Sequence, residues 1–262
     1  MSVVRGISAF GRGTIENTTG WGAAWVFMYH ILVGIFSRPF RGRLILRQLL
    51  EIGFNSTLVI FLIGGFTGAV LAVQGEYTLS KFGATAWTGP MVALSLIREL
   101  APVLTALMVI GRAGSAITAE IGIMRITEQI DALRSMAVDP IRYLMVPRFI
   151  AAVISMPLLM CVFTSVGIGG GYLVGVKLLG LSPGSFMGQI ISNIDILDVN
   201  SGLIKSTVFG IIFGWVCCYK GYTCGFGAVG VNKATTQAVV TASVCVLVVD
   251  YFLTSILNRI FF

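Results

Sequence analysis

Apolar residues form five runs, each long enough to cross a lipid bilayer as a helix of about 20 residues. The runs are Ile52–Val73, Met91–Gly111, Phe149–Gly175, Leu203–Tyr219 and Gln237–Leu257. The pattern predicts an all-α integral membrane protein with five transmembrane helices. It forms a single transmembrane domain over residues 1–262, with an N-terminal interfacial region at 1–50 and a five-helix bundle at 51–262.

A sixth apolar run, Trp21–Phe36, is shorter and rich in aromatic residues, and it contains His30. These properties favour a helix that lies in the membrane interface. A sixth span remains the alternative, in which case only the N-terminal tail changes sides.

The composition fits a membrane protein, because 56% of the residues are hydrophobic and only 11% are charged, against about 25% charged in soluble domains. The net charge of +7 reflects membrane orientation rather than nucleic-acid binding. Thirteen basic residues fall on one side of the predicted spans and three on the other. By the positive-inside rule the richer side, which includes the N-terminus, is cytoplasmic.

The sequence offers no sign of catalysis, of a metal site or of a cofactor. Its five cysteines lie mostly in apolar runs without metal-ligand spacing, and His30 is the single histidine. Gly225, Gly227 and Gly230 match GxGxxG, but no strand precedes them, so a flexible cytoplasmic turn is predicted. No phosphate-binding loop of the Walker A type occurs. The chain is therefore not expected to hydrolyse ATP itself.

Small residues recur at helix-packing intervals in two of the runs. Gly167, Gly171 and Gly175 form GxxxGxxxG, and Gly64 and Gly68 form GxxxG. Such faces let helices approach closely in lipid. Packing within one subunit is the favoured interpretation, and a dimer seam is the alternative.

Four ionisable residues lie inside the predicted spans, namely Arg98, Glu99, Lys205 and Asp250. Each costs about 2.5–3.5 kcal/mol on an insertion scale. The direction of each span places all four at one level near the outer face, where their charges sum to zero. They either form structural salt bridges or line a polar cavity. The cavity is favoured, since neighbouring residues on a helix point about 100° apart.

A cytoplasmic segment between the second and third spans, EIGIMRITEQIDALRSMAVDP, shows helical periodicity. Its apolar face is predicted to contain Ile123, Ile126, Ile130, Leu133 and Ala137, and Asp139-Pro140 is predicted to end the helix. Its polar face carries Arg125, Glu128, Asp131 and Arg134 as i,i+3 pairs. The helix is either a strut on the membrane surface or a docking element for a partner.

Three stretches of the chain resemble the MlaE (YrbE) family of permeases. They are LSLIRELAPVLTALMVIGRAGSAITAEIGIMRITEQIDAL, MAVDPIRYLMVPRF and KATTQAVV. The resemblance begins near Arg47 and reaches the C-terminus. Where the family often reads SRATT, this chain reads NKATT, so Lys233 supplies the basic charge.

The resemblance implies a homodimeric permease in the inner membrane of a Gram-negative bacterium, moving glycerophospholipids between the two membranes. The implied partners are a cytoplasmic ATPase, a STAS-domain subunit and a periplasmic hexamer of MCE-domain subunits. It also implies that the Arg125–Arg134 segment couples to the ATPase. Arg98 and Glu99 match an RE pair in the family's lipid cavity, and Lys205, Asp250 and Arg47 fit further polar positions.

Two other classes of function compete with a lipid permease. A secondary transporter could use Glu99 or Asp250 as a proton relay, but the internal repeats common in that class are not evident in the sequence. A structural scaffold has no need of four charges at one depth. The permease interpretation therefore leads.

Overall fold

A computed structural model describes residues 22–35 and 42–261, and all of its regular elements within those ranges are helical. We number these helices α1 to α8. They are α1 Gly22–Ile35, α2 Gly42–Ser80, α3 Thr85–Ile126, α4 Gln129–Ser135, α5 Ile141–Leu178, α6 Pro183–Asn193, α7 Ile196–Tyr222 and α8 Gly227–Phe261.

Five of these helices, α2, α3, α5, α7 and α8, are long and apolar enough to cross a membrane. Each contains one of the five predicted apolar runs, which confirms the predicted all-α membrane fold. The helices also extend beyond the runs at both ends, because a helix continues through polar residues after it leaves the hydrocarbon. Many large apolar side chains on α2 and α8 point outward, as expected for surfaces that contact lipid tails.

Helix α5 is central in the bundle and packs on both α2 and α7, while α8 packs on α3 and α7. Large side chains such as Phe163, Phe209 and Phe213 are fully buried between these helices. Most buried apolar residues belong to one large core, and two smaller clusters form around Phe186 and around Val231.

The small-residue stripes bring α2 and α5 together within one chain. A Cβ atom added to Gly68 would overlap the backbone carbonyl oxygen of Gly167, and one added to Gly170 would overlap that of Gly65. Backbones this close exclude any side chain at these positions. The stripes therefore serve packing within the subunit, which was the favoured interpretation.

The described part of α1 is shorter than a span, because it covers about 21 Å at 1.5 Å per residue, against a hydrocarbon core of about 30 Å. Its inner side is anchored on α7. Trp25 packs beside Trp215 with ring centroids 4.9 Å apart and ring planes tilted by 47°, and the Trp215 indole N–H donates to the Ala24 carbonyl at 2.9 Å. The exposed rings of Trp25 and Tyr29 suit the headgroup level of a membrane.

The predicted helix across the segment between the second and third spans is wrong as one continuous element. Helix α3 ends at Ile126, and Glu128 has a left-handed backbone with φ of 58°. Helix α4 is short and ends before Ala137, which has φ of 57°. A left-handed residue ends a helix because it turns the next carbonyl off the axis. The predicted apolar face is broken in consequence, with Ile123 half exposed.

Candidate functional site

Arg98 and Glu99 lie in a π-helical turn of α3, over Leu96–Leu100. A π turn inserts an extra residue into the helix and changes the direction of the side chains around it, and such turns are frequent at functional sites. The two side chains consequently face different neighbours. Arg98 points to the first turn of α7, while Glu99 points to the gap between α7 and α8.

Lys205 on α7 is the buried centre of the site, with a side chain only 2% exposed. Its ammonium donates to Glu99 Oε2 at 2.6 Å, to the Thr254 hydroxyl at 2.7 Å and to the Arg98 backbone carbonyl at 3.0 Å. The Asp250 carboxylate lies 3.4 Å away. An ammonium has three protons to donate, so these partners account for all of them.

Arg98 pairs with a carboxylate that the sequence interpretation missed. Its Nε and terminal nitrogen lie 2.6 and 2.5 Å from Asp198 Oδ1. Asp198 is 2% exposed, and its other oxygen accepts the Asp195 backbone N–H at 3.0 Å in a capping box at the start of α7. Asp198 thus joins Arg98 to the helix cap. The D-I-L-D spacing is a capping signal that could have located it.

The structure therefore brings together four of the five residues predicted to bind phospholipid, and adds Asp198 and Thr254. Thr254 lies one helical turn beyond Asp250 and donates to its carbonyl at 2.9 Å. With Asp198 included, three carboxylates face two cations. The formal charge is −1 rather than the zero predicted from four residues.

Exposure divides this charged cluster into an inner and an outer part. Lys205 and Asp198 are almost completely buried, whereas the side chains of Arg98 and Glu99 are 34% and 43% exposed. The outer pair can meet a ligand, while Lys205 is a fixed internal counter-charge. Among the described residues no group of acidic, histidine or cysteine side chains could hold a metal ion.

Arg47, the fifth predicted residue, lies apart from the cluster. It lines a cavity of about 290 Å³ together with Glu51, Glu120 and Arg148. Arg148 is 4% exposed and pairs with Glu120 at 2.8 Å. This cavity is near the end of α2, α3 and α5 that is remote from the charged cluster.

Two of the four residues predicted to couple to an ATPase contact Tyr222 at the end of α7. Arg125 donates to the Tyr222 backbone carbonyl and Arg134 donates to the Tyr222 hydroxyl. Asp131 pairs with Arg134 at 3.4 Å, and both are exposed. Glu128 occupies the left-handed turn between α3 and α4. Tyr222 was not anticipated from the sequence, and it fixes α4 to the bundle.

Comparison with known proteins identifies the family. A family model described as Permease MlaE matches residues 45–256. The chain belongs to the MlaE permease family. All of α3 to α7 and most of α2 and α8 fall within the matched range, so the charged cluster is part of the family's common domain.

Relatives in this family span nearly the full chain. The intermembrane phospholipid transport system permease protein MlaE of Haemophilus influenzae is 43% identical over 97% of this chain and 98% of its own length. A probable ABC transporter permease of Rickettsia typhi is 43% identical over 95% and 96%. The chloroplastic protein TRIGALACTOSYLDIACYLGLYCEROL 1 of Arabidopsis thaliana is 35% identical over 86% of this chain and 64% of its own length.

Proposed function

We propose that this chain is the permease subunit of an ABC transporter that moves glycerophospholipids between the inner and outer membranes and so maintains outer-membrane lipid asymmetry. The observation that carries the proposal is its near full-length similarity to a permease named for intermembrane phospholipid transport. ATP hydrolysis is supplied by a separate subunit, in keeping with the missing Walker A sequence.

The charged cluster is the proposed site for the phospholipid headgroup. Arg98 is the residue best suited to contact the phosphate, because its guanidinium has five N–H donors and is one-third exposed. Glu99 borders the same outer surface, and its carboxylate lowers the net positive charge near the phosphate. Lys205 and Asp250 act behind them, since Lys205 is enclosed by its own partners. The separate position of Arg47 makes it a weaker candidate for the same headgroup.

The proposed location is the inner membrane of a Gram-negative bacterium, with the N-terminus in the cytoplasm. The thirteen-to-three distribution of basic residues supports this orientation. Five spans then place the C-terminus and the charged cluster towards the periplasm. The short helices α4 and α6 lie on the cytoplasmic and periplasmic sides.

The proposed assembly is a homodimer with a cytoplasmic ATPase, a STAS-domain subunit and a periplasmic MCE-domain hexamer. On the cytoplasmic side, the exposed charges of Glu128, Asp131 and Arg134 form the surface for the ATPase, with Arg125 and Tyr222 fixing them to α7. Because α7 also carries Lys205, a movement of this surface can be transmitted to the charged cluster by this one helix.

The test is the amount of phospholipid retained by the purified complex, measured by mass spectrometry, together with outer-membrane detergent sensitivity in cells. Arg98→Gln and Glu99→Lys should both lose bound phospholipid. Glu99→Lys should be worse than Glu99→Ala, because it adds a like charge as well as removing a partner of Lys205. Arg259→Gln, an exposed charge on α8 outside the cluster, is the matched control.

Two results would count against the proposal. If Arg98→Gln and Glu99→Lys keep the same lipid occupancy and barrier function as Arg259→Gln, the cluster is a set of structural ion pairs. If the parent complex retains no more phospholipid than an unrelated membrane protein purified in parallel, the transport function itself is rejected.

A further inference from the structure

A second cavity, of about 600 Å³, lies between α1, α7 and α8 at the opposite end of the bundle from the charged cluster. Lys220 in this cavity is fifteen residues after Lys205 on α7, which places it about 22 Å further along the helix axis. A volume of this size is typical of small-molecule sites. It is therefore large enough for a lipid headgroup and separate from the proposed transport site.

The walls of this cavity come from two helix faces. On α8, Gly230, Lys233, Gln237 and Thr241 follow one another at intervals of three and four residues, so they share a face. On α7, Trp215 and Tyr219 are four residues apart, and Thr223 follows just beyond the end of the helix. Gly230 permits the closure of the intervening loop, because a Cβ there would overlap the Gly225 carbonyl oxygen.

The charged residues described in the lining of this cavity are all basic. Lys220 and Lys233 both line it, and none of its described lining residues is acidic. Neither lysine has an acidic side chain within ion-pair distance among the described residues. Two cations that share a cavity without a counter-charge repel each other, and an anion between them relieves that repulsion.

The surroundings favour a lipid as the source of the anion. Val216, Ala234 and Cys245 give the cavity an apolar wall, and α1 beside it exposes Trp25 and Tyr29 as interfacial residues do. Basic pockets between spans on the cytoplasmic side of membranes are typical sites for anionic headgroups. A free phosphate needs no apolar wall.

We propose that this cavity binds the phosphate of an anionic phospholipid from the neighbouring leaflet, with Lys220 and Lys233 as its donors and Gln237 and Thr241 beside them. The leaflet is the cytoplasmic one in the proposed orientation. The lipid is a resident ligand that fixes α1 against α7 and α8. It is bound independently of the phospholipid at Arg98.

The test is a titration of the purified full-length chain in neutral detergent, followed by native mass spectrometry. The ligands are short-chain phosphatidylglycerol, short-chain phosphatidylcholine and glycerol 3-phosphate. Lys220→Gln/Lys233→Gln should weaken phosphatidylglycerol binding about 30-fold, which corresponds to about 1 kcal/mol for each lysine. Lys177→Gln, an exposed lysine near the other end of the bundle, should bind as the parent does.

A variant with both lysines changed to arginine separates lost charge from lost folding, because it should regain phosphatidylglycerol binding. Wild-type affinity in Lys220→Gln/Lys233→Gln, or no preference for phosphatidylglycerol over phosphatidylcholine, would overturn the proposal. Lysine-dependent binding of glycerol 3-phosphate as tight as that of the lipid would assign the site to a soluble phosphate instead. Arg98→Gln should leave this titration unchanged, so failure here is distinct from failure of the transport proposal.

Discussion

Replacing Lys205 by methionine is the sharpest test of how the charged cluster is held together. The substitution keeps an unbranched apolar side chain, with sulfur in place of one methylene, and removes the ammonium. Glu99 then loses a partner at 2.6 Å and Asp250 one at 3.4 Å. The Thr254 hydroxyl loses the hydrogen bond that it accepted from Lys205. Two carboxylates remain inside the bundle without a cation between them.

The expected cost follows from how far each carboxylate can reach water. Breaking a buried ion pair by removing one partner costs about 3–5 kcal/mol. Glu99 is 43% exposed and can be hydrated, whereas Asp250 is 19% exposed. The lower end, about 3 kcal/mol, is therefore expected. For a chain of this size that lowers the melting temperature by about 6–12 °C.

A second substitution, Asp250→Asn, tests whether Asp250 and Lys205 stabilise each other. Asp250 Oδ1 is buried and accepts no hydrogen bond among the described residues, and Lys205 keeps Glu99 as a partner at 2.6 Å when Asp250 is replaced. Asp250→Asn alone should therefore cost less than Lys205→Met. Added to Lys205→Met, it removes one of the two uncompensated carboxylates. The double variant should then be more stable than Lys205→Met by about 1–2 kcal/mol, within the range for residues in contact.

The assay is thermal unfolding of the purified chain in one detergent, followed by intrinsic fluorescence, with Lys177→Met as the exposed control. The control should melt with the parent. If Lys205→Met also melts with the parent, the ammonium does not hold the cluster. If the double variant is no more stable than Lys205→Met, Asp250 is not a partner of Lys205, and the proposed inner part of the site is wrong.

Three further predictions concern packing, topology and coupling. Gly68→Ala should abolish stable folding, because its Cβ would overlap a backbone carbonyl of α5, whereas the Cβ of Gly65→Ala would lie at an ordinary van der Waals distance from its neighbours and should be tolerated. The measurement is the yield of monodisperse protein, and equal yields of the two variants would contradict the packing of α2 on α5. In a chain without its native cysteines, Gly188→Cys but not Ser135→Cys should react with an impermeant thiol reagent on intact spheroplasts, and labelling at 135 would reverse the orientation. Glu128→Lys should reduce ATPase co-purification without reducing membrane insertion, and full recovery of the ATPase would remove this surface from the coupling site.

Hydropathy predicted the spans because lipid imposes a simple requirement of length and apolarity on each helix. The same reasoning gave the common level of Arg98, Lys205 and Asp250, since the height of a residue follows from its position along a span. It did not predict which residues form ion pairs or hydrogen bonds with them. Pairing depends on rotation about the helix axis, and the π turn at Leu96–Leu100 shifts that rotation in a way that no periodic pattern reveals.

The segment between the second and third spans shows a different limit of sequence reasoning. Its apolar residues keep helical spacing on both sides of Glu128, so periodicity alone predicts one helix. The break occurs because Glu128 adopts a left-handed backbone, a conformation that a non-glycine residue adopts uncommonly. Contacts of Arg125 and Arg134 with Tyr222 hold the end of α3 and the short helix α4 against α7, and tertiary contacts of this kind leave no local signal.

The position of Asp198 bears on how a phospholipid could be both bound and released. Asp198 neutralises Arg98 and also caps the first turn of α7, so a phosphate must compete with a carboxylate already in place. If the headgroup binds at Arg98 as proposed, this competition should keep the affinity for phosphate moderate, because the exchange of one anion for another gains little. A phosphate that succeeds leaves Asp198 buried without its cation, which weakens the α7 cap. We therefore expect headgroup binding to affect α7 along its length as far as Tyr222, where the proposed ATPase surface is attached.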